Sequence, residues 1–353
     1  LLLFVYPAIS GQDTTNYNVI RSDTISIIAT GDIMMGTSFP DPSYLPPGNN
    51  PYPLLSSVIQ NLADADLTFG NLEGPFSDDA RLVKKCRDTT LCYAFRVPEK
   101  YAGVLDSAGY DLISIANNHI GDFGYPAKET TAYLLDSLGI SYAGTSEYPW
   151  SIRRIRDSIL VGFCAFAPNK GCLNFHDKEK AMDIIRMLSD SCDITVVSIH
   201  GGAEGADNQN VTREEEFYYG ENRGNIYEFA HKAIDNGADV ILGHGPHVSR
   251  AVEVYKNRFI SYSLGNFCTY RRFNLRGPNG YAPMIKVSID PSGSFLEGRI
   301  LPVYQDLYGH VKPDPQKRAI FKVRELTKTD FPDSVIVIND EGYIKLIPSY
   351  GSE

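Results

Sequence analysis

The stretch Val240-Ile241-Leu242-Gly243-His244-Gly245-Pro246-His247-Val248 presents two histidines just after a short apolar run. Imidazole is the commonest metal-binding side chain. A strand followed by a sharp glycine turn aims both rings beyond the strand's C-terminal end, where open α/β sheets bind their ligands. Residues of matching chemistry follow other apolar runs. Asp32 follows Ile25–Thr30, and Asn71 and Glu73 follow Ala65–Phe69. Asn118 and His119 follow Asp111–Ala116, and His200 follows Ile194–Ile199. Asp32, Glu73, Asn118, His200, His244 and His247 make a ligand set of nitrogen and oxygen without a thiolate. Such a set suits zinc, manganese or iron, as one ion or two. A metal pair activates water and clamps the reacting group, with Asp32 or Glu73 as a bridge.

Each piece alone has a plainer reading. Asp32 is a turn residue, Glu73 a solvated one, and Asn117 and Asn118 are caps for a following helix. A lone His200 is a structural histidine. The conjunction decides, because four of the seven histidines follow apolar runs and the acidic and amide groups join them. His176, His231 and His310 sit in a loop, a helix and the tail, and keep the plain reading.

The elements that position these residues alternate. Apolar residues recur at helical spacing over Pro53–Ala63, Ala127–Leu138, Lys178–Leu188 and Ile226–Asn236, between the strand-like runs. Strands alternating with helices imply a largely parallel, layered α/β sheet, which brings the strand ends to one edge. Ala282–Tyr304 reads as two strands about Asp290-Pro291-Ser292-Gly293, and Val335–Ile338 with Tyr343–Ile347 as a further hairpin. The domain expectation is residues 1–10 as the remainder of a signal peptide, 24–305 as the main domain, and 306–353 as a β-rich extension.

The net charge of −10 over 353 residues excludes a general nucleic-acid binder, which needs a cationic face. The opening Leu1-Leu2-Leu3-Phe4-Val5 and the small residues Ala8 and Ser10 fit an export signal cut before Gly11. A membrane anchor is the alternative. Of six cysteines, Cys86 with Cys92 and Cys164 with Cys172 are candidate disulfides, and Cys192 and Cys268 read as buried thiols.

The ordered motifs Gly31-Asp32, Asn71-Leu72-Glu73-Gly74, Ala116-Asn117-Asn118-His119, Ser198-Ile199-His200, Gly243-His244-Gly245-Pro246-His247 and Ser263-Leu264-Gly265-Asn266-Phe267 resemble the CapA family. These are poly-γ-glutamate capsule synthesis proteins related to calcineurin-like metallophosphoesterases. The resemblance covers about residues 24 to 290. It implies a four-layer α/β/β/α metallophosphoesterase-like sandwich, here with the β-rich C-terminal extension. It also implies that Asp32, Glu73 or Asn71, Asn118, His200, His244 and His247 ligate metal, and that His119 is the general acid or stabilises charge on the substrate. Two departures weaken one metal position. Met34 stands where the phosphoesterase motif has a histidine, and Asn71 where it has an aspartate.

Asn71, Glu204, Arg223, Asn266 and Arg271 are the candidate substrate contacts, since arginines near strand ends bind carboxylates and phosphates. The expected function is an exported, metal-dependent hydrolase or transferase, in the periplasm or at the cell surface. It would act on an amide of an acidic polymer such as poly-γ-glutamate or a cell-wall γ-glutamyl peptide, beside membrane-bound capsule synthesis proteins. The alternatives are a polymer-binding assembly or export factor with a degenerate metal site and, more remotely, a phosphoesterase.

Overall fold

The computed structural model describes residues 24–79, 83–85 and 93–348. The chain runs through β1 (Ile25–Met34), the one-turn α1 (Ile59–Leu62), β2 (Leu67–Leu72), α2 (Ala102–Ser107), β3 (Leu112–Ser114), α3 (Gly124–Ser137) and β4 (Ser141–Ala143). A second set follows: β5 (Trp150–Ile155), β6 (Ile159–Phe166), α4 (Lys178–Ser191), β7 (Ile194–His200), the short pair β8 (Glu216–Tyr218) and β9 (Glu221–Gly224), α5 (Ile226–Asp235), β10 (Val240–His244), β11 (Val252–Tyr255) and β12 (Arg258–Ser261). The chain then passes through β13 (Asn266–Thr269), β14 (Tyr281–Ile289), β15 (Phe295–Gln305), β16 (Val311–Pro313), α6 (Arg318–Asp330), β17 (Ile336–Ile338) and β18 (Tyr343–Leu346).

Two sheets result. The first has the order β17-β18-β15-β14-β1-β2-β3-β4, with β13 also on β1 and β16 on β15. The second has the order β11-β12-β10-β7-β6-β5. Side chains alternate across a strand, so β6, β7 and β10 of the second sheet each serve two cores. Val161, Phe163, Ala165, Val196, Val240 and Leu242 share one core with Ile27, Phe69 and Ile113 of the first sheet. Cys164, Phe166, Val197, Ile199 and Ile241 face the other way, onto Ile185 and Leu188 of α4 and Phe229 and Ala233 of α5. Helices α2 and α3 pack with the first sheet. The architecture is therefore the four-layer α/β/β/α sandwich.

The alternation also places the histidines. His200 has the parity of Val196, and His244 that of Val240 and Leu242, so both point inward between the sheets. The outer helices form for ordinary reasons. Asp177 caps α4 by accepting from the Lys180 N–H, and Asn225 caps α5 by accepting from the Glu228 N–H. Their buried residues recur every three or four positions.

Several expectations change. Cys164 and Cys172 are free, not a disulfide. The reason is topological: Cys164 faces the α4 and α5 core, whereas Cys172 faces the core between the sheets and donates to the Asn117 carbonyl at 3.4 Å. Burial pushes both thiols up, that of Cys172 to about 12. Pro53–Ala63 is not one helix. A 3-10 turn at Tyr52–Leu54 and the short α1 replace it, separated by Val58 at φ −125°, outside helical geometry. Its apolar residues Leu54, Leu55, Val58 and Leu62 are buried all the same. The tail holds the hairpin β17 and β18, and also two elements not expected from the sequence, β16 and α6, the latter packing on β14 and β15. Residues 1–10 and the pair Cys86 and Cys92 lie outside the described residues. Among the described residues no helix is long and apolar enough to cross a membrane.

Phe163 measures the packing between the sheets. It is fully buried and meets Phe69 edge-on, with ring centroids 5.8 Å apart. Phe163→Ala is expected to lower unfolding free energy by about 3–5 kcal/mol in denaturant titrations. Phe321→Ala, at a side chain 43% exposed on α6, should change it by no more than about 0.5 kcal/mol. Equal effects would contradict the layer assignment.

Candidate metal centre

Strand register does the first part of the assembly. Asp32 of β1 pairs with Asn71 of β2 and with Asn266 of β13, and Asn71 pairs with Ser114 of β3. In the second sheet His200 of β7 pairs with His244 of β10. Partners in register on parallel strands project to the same face, so each sheet offers a row of polar groups at its C-terminal edge. Two glycines permit the close approach. A Cβ on Gly31 would lie 1.9 Å from the Gly265 carbonyl oxygen, beside the point where the Asp32 N–H donates to it at 2.9 Å. Gly245 has φ +110°, and a Cβ there would lie 2.7 Å from the Gly201 carbonyl oxygen.

A chain of amides then fixes orientation. Asn117 Oδ1 accepts the N–H groups of His119 and Ile120, at 3.0 and 2.9 Å. Its Nδ2 therefore faces the other way, donating to the Leu72 carbonyl at 2.7 Å and to Asn71 Oδ1 at 3.1 Å. Asn71 must in turn present its Nδ2, which donates to Asp32 Oδ1 at 2.8 Å and Glu73 Oε2 at 2.6 Å. Asp32 is fully buried and also receives His244 Nδ1 at 3.1 Å and His247 Nδ1 at 2.8 Å, one on each oxygen.

Electrostatics follows from this wiring. Burial opposes the charge on Asp32, but hydrogen bonds from His244 and His247 and their charges overcome it and hold the carboxyl well below its usual range. Glu73 lacks such partners; burial and the neighbouring Asp32 charge push it up to about 8. Burial drives His200 well below the usual histidine value. His247 is half-buried, which opposes its charge, yet its bond to Asp32 and the Asp32 charge raise it to about 9.

Donor atoms remain without partners. Glu73 Oε1, Asn118 Oδ1, both ring nitrogens of His200 and Nε2 of His244 are buried and form no hydrogen bond. Such orphans are costly unless something else satisfies them. Ligand atoms of Asp32, Glu73 and His200 lie within 4.8 Å of one another. The residues fit a divalent cation.

Around this centre, His119 Nδ1 meets Asp122 Oδ2 at 2.8 Å, and Lys84 Nζ meets Asp122 Oδ1 at 2.6 Å. Phe95 covers the His119 ring at 4.1 Å, stacks on Phe273 at 5.2 Å, and Phe273 meets the His247 ring at 5.3 Å. That aromatic chain puts His119 at the rim of the cluster. Glu204 Oε2 is 4.0 Å from His247 Nε2, and Glu204 Oε1 is 3.1 Å from Arg223 Nη2. Arg223 stands on β9 over the Tyr218 ring, buried, with Nε and Nη1 unpartnered. Asn266 Nδ2 donates to the His247 and Asn279 carbonyls, both at 3.1 Å, and steadies His247 at φ +56°. Asn71 is enclosed within the network. Arg271 is exposed and lies over the Tyr270 ring, not against the cluster. Met34 is buried, its sulfur accepting the Gly36 N–H at 3.3 Å. His176, His231 and His310 pair locally with Asn222, Glu253 and Asp306.

Sequence reasoning passed over Asp122, Lys84 and the bridging role of Asn117. Asp122, three residues after His119, was the available signal. It also passed over Arg250, buried, which grips both carboxylate oxygens of Glu216 and pins β8 beside the centre.

The wiring carries a pH signature. Glu73 and His247 hold protons more tightly folded than unfolded, so their contribution is complete below their ordinary values of 4.5 and 6.5. It is lost as pH rises through about 8 and about 9. Asp32, shifted downward, loses its contribution only in strong acid. His200 and His119, lowered by burial, gain stability as pH rises to their ordinary value of 6.5 and oppose the early loss from Glu73, so metal-free protein is expected to lose stability from above that pH to near pH 9 in denaturant titrations. Added cation should bind roughly tenfold more tightly per pH unit for each proton it displaces. A flat profile in both measurements would contradict the assigned charges.

Comparison with known proteins agrees with the motif order. The chain is 26% identical over 266 residues to the capsule biosynthesis protein CapA of Bacillus anthracis, covering 70% of this chain and 60% of that protein. It thus spans less than two thirds of that relative. It is 24% identical over 344 residues to the PGA biosynthesis protein CapA of Bacillus subtilis (strain 168), covering 93% and 84%. Among solved structures it is similar to a 5'-nucleotidase precursor from Thermus thermophilus. The identity is 12% and the TM-score 0.46, with 88% of this chain and 59% of that chain covered. Residues 26–271 match the family described as bacterial capsule synthesis protein PGA_cap, and the chain belongs to that family.

Proposed function

We propose that this protein is an exported, metal-dependent hydrolase or transferase that acts on a γ-glutamyl amide in an acidic polymer. The observation that carries the reading is the set of buried, unpartnered ligand atoms beside a histidine backed by a buried carboxylate. Asp32, Glu73, Asn118, His200, His244 and His247 would hold the ion. A bound divalent cation supplies Lewis acidity and lowers the pKa of water in its coordination sphere.

The chain's own groups do the rest. Asp122 accepts from His119 Nδ1, which leaves Nε2 to carry the proton for the leaving amine. Burial lowers the His119 pKa, so its imidazolium is the stronger acid. Lys84 balances the Asp122 charge. Arg223 offers a buried cation to substrate carboxylates, and Glu204 holds it in place meanwhile. A poly-γ-glutamate substrate agrees with the names of the Bacillus relatives. A second reading, a polymer-binding assembly factor, draws support from Met34 and Asn71, which remove two metal ligands.

Purified protein loaded with manganese or zinc and incubated with γ-linked oligoglutamate tests both. His119→Ala is expected to lower kcat by about 10²–10⁴ with metal content and fold intact. Arg223→Gln should raise KM roughly tenfold or more, as loss of a charged hydrogen bond does. Full turnover by His119→Ala would refute the acid assignment. Binding without cleavage by the loaded wild type would favour the assembly factor.

A further inference from the structure

Among the described residues only two arginines, Arg223 and Arg272, bury a guanidinium nitrogen that has no hydrogen-bond partner. Both stand beside the centre. We propose that Arg272 is a second anion subsite, and that it and Arg223 bind two separate carboxylates of one chain. This rests on the proposed function and deepens it, because the species recognised becomes a polycarboxylate and not a lone γ-glutamyl amide.

The two arginines are reached from His247 by different neighbours. Glu204 lies 4.0 Å from His247 Nε2 and 3.1 Å from Arg223 Nη2. Arg223 belongs to the β8–β9 hairpin, which the buried Arg250–Glu216 pair anchors. On another side, Phe273 meets the His247 ring at 5.3 Å, and Arg272 is the residue before it. The segment around Tyr93 runs beside this loop: Phe95 stacks on Phe273, and Tyr93 meets Arg272. Phe95 is buried whereas Tyr93 is 44% exposed, so Arg272 lies one step outward from the aromatic rim.

Arg272 is held by rings alone. Its guanidinium carbon is 4.9 Å from the Tyr44 ring centre and 4.7 Å from that of Tyr93. Aromatic faces attract a cation without using any of its N–H donors. The planar fork is therefore fixed in place and left free for a carboxylate in its own plane. The backbone is bent to achieve this. Arg271 and Arg272 are both left-handed, at φ +54° and +60°, a conformation costly for any residue with a Cβ. That bend sends Arg271 outward over Tyr270 and Arg272 onto the two tyrosines. A γ-linked glutamate chain keeps one free α-carboxylate on every residue, so it can meet two fixed guanidinium groups at once.

Binding of labelled γ-linked oligoglutamate tests this by fluorescence anisotropy, in the His119→Ala background so that cleavage does not consume the probe. Arg272→Gln should weaken binding roughly tenfold or more, as loss of a charged hydrogen bond does. Combined with Arg223→Gln, the two losses should multiply, as separate contacts do. Arg272→Lys, which keeps charge but not the planar fork, should still lose several-fold. Arg276→Gln, exposed on the same loop, should change affinity by less than about twofold. The neutral probe, γ-linked oligoglutamine, should bind wild type and Arg272→Gln alike. Circular dichroism checks each fold, and Tyr93→Ala, at an exposed ring, should weaken binding several-fold with every arginine in place. Unchanged affinity in Arg272→Gln, equal loss in Arg276→Gln, or no added loss in the Arg223→Gln background would overturn this inference and leave the proposed function standing. Tighter capture of inorganic polyphosphate than of oligoglutamate would overturn the carboxylate assignment. Oligoglutamate bound but never cleaved by metal-loaded wild type would remove the hydrolase reading and leave the subsite. No binding by wild type would remove both.

Discussion

The Asp32 carboxylate joins the two sheets where their apolar packing ends. It lies at the edge of the first sheet and takes hydrogen bonds from His244 and His247 of the second. A buried, ionised carboxylate is tolerated only when its charge is answered at close range. The site's geometry follows from meeting that demand. The histidines are drawn inward, their Nδ1 protons are committed to Asp32, and their Nε2 atoms are set facing elsewhere. Below this level Phe69 and Phe163 hold the sheets by contact alone. Above it, polarity takes over.

Glu73 shows what happens to a carboxylate in the same place without those partners. It has one amide bond, a negative neighbour and a distant ring, His200 at 3.7 Å. The two acids sit two bonds of one asparagine apart and are driven in opposite directions. Environment, not residue type, assigns their charge states.

Much of this was legible in the chain. Apolar runs ending in Gly, Asn or His located β1, β2, β3, β7 and β10, and from among them Asp32, Glu73 and His200 come within 4.8 Å of one another. What failed to show had physical causes. β6 is buried on both faces, so it reads as an unbroken apolar run, and it ends at Ala167-Pro168 with no chemical group to draw notice. α6 hides a regular stripe, Ile320, Val323 and Thr327, under a dense coat of charge. Asn117 reads as a helix cap, but α3 begins only at Gly124 and Asn117 closes a turn instead, through the His119 and Ile120 N–H groups. Its other half, the bond to Asn71, depends on strand register and is invisible in spacing. Arg223 was found by its chemistry, whereas Arg271 shared that chemistry and stands in solvent.

The unpartnered donors are contributed from Glu73 to His244, and by both sheets. No hairpin, no βαβ unit and no single sheet contains them all. A cation held by all of them would therefore need both sheets in place. An ion held there would add to a finished fold instead of nucleating one. A cation bound there would mark a complete molecule.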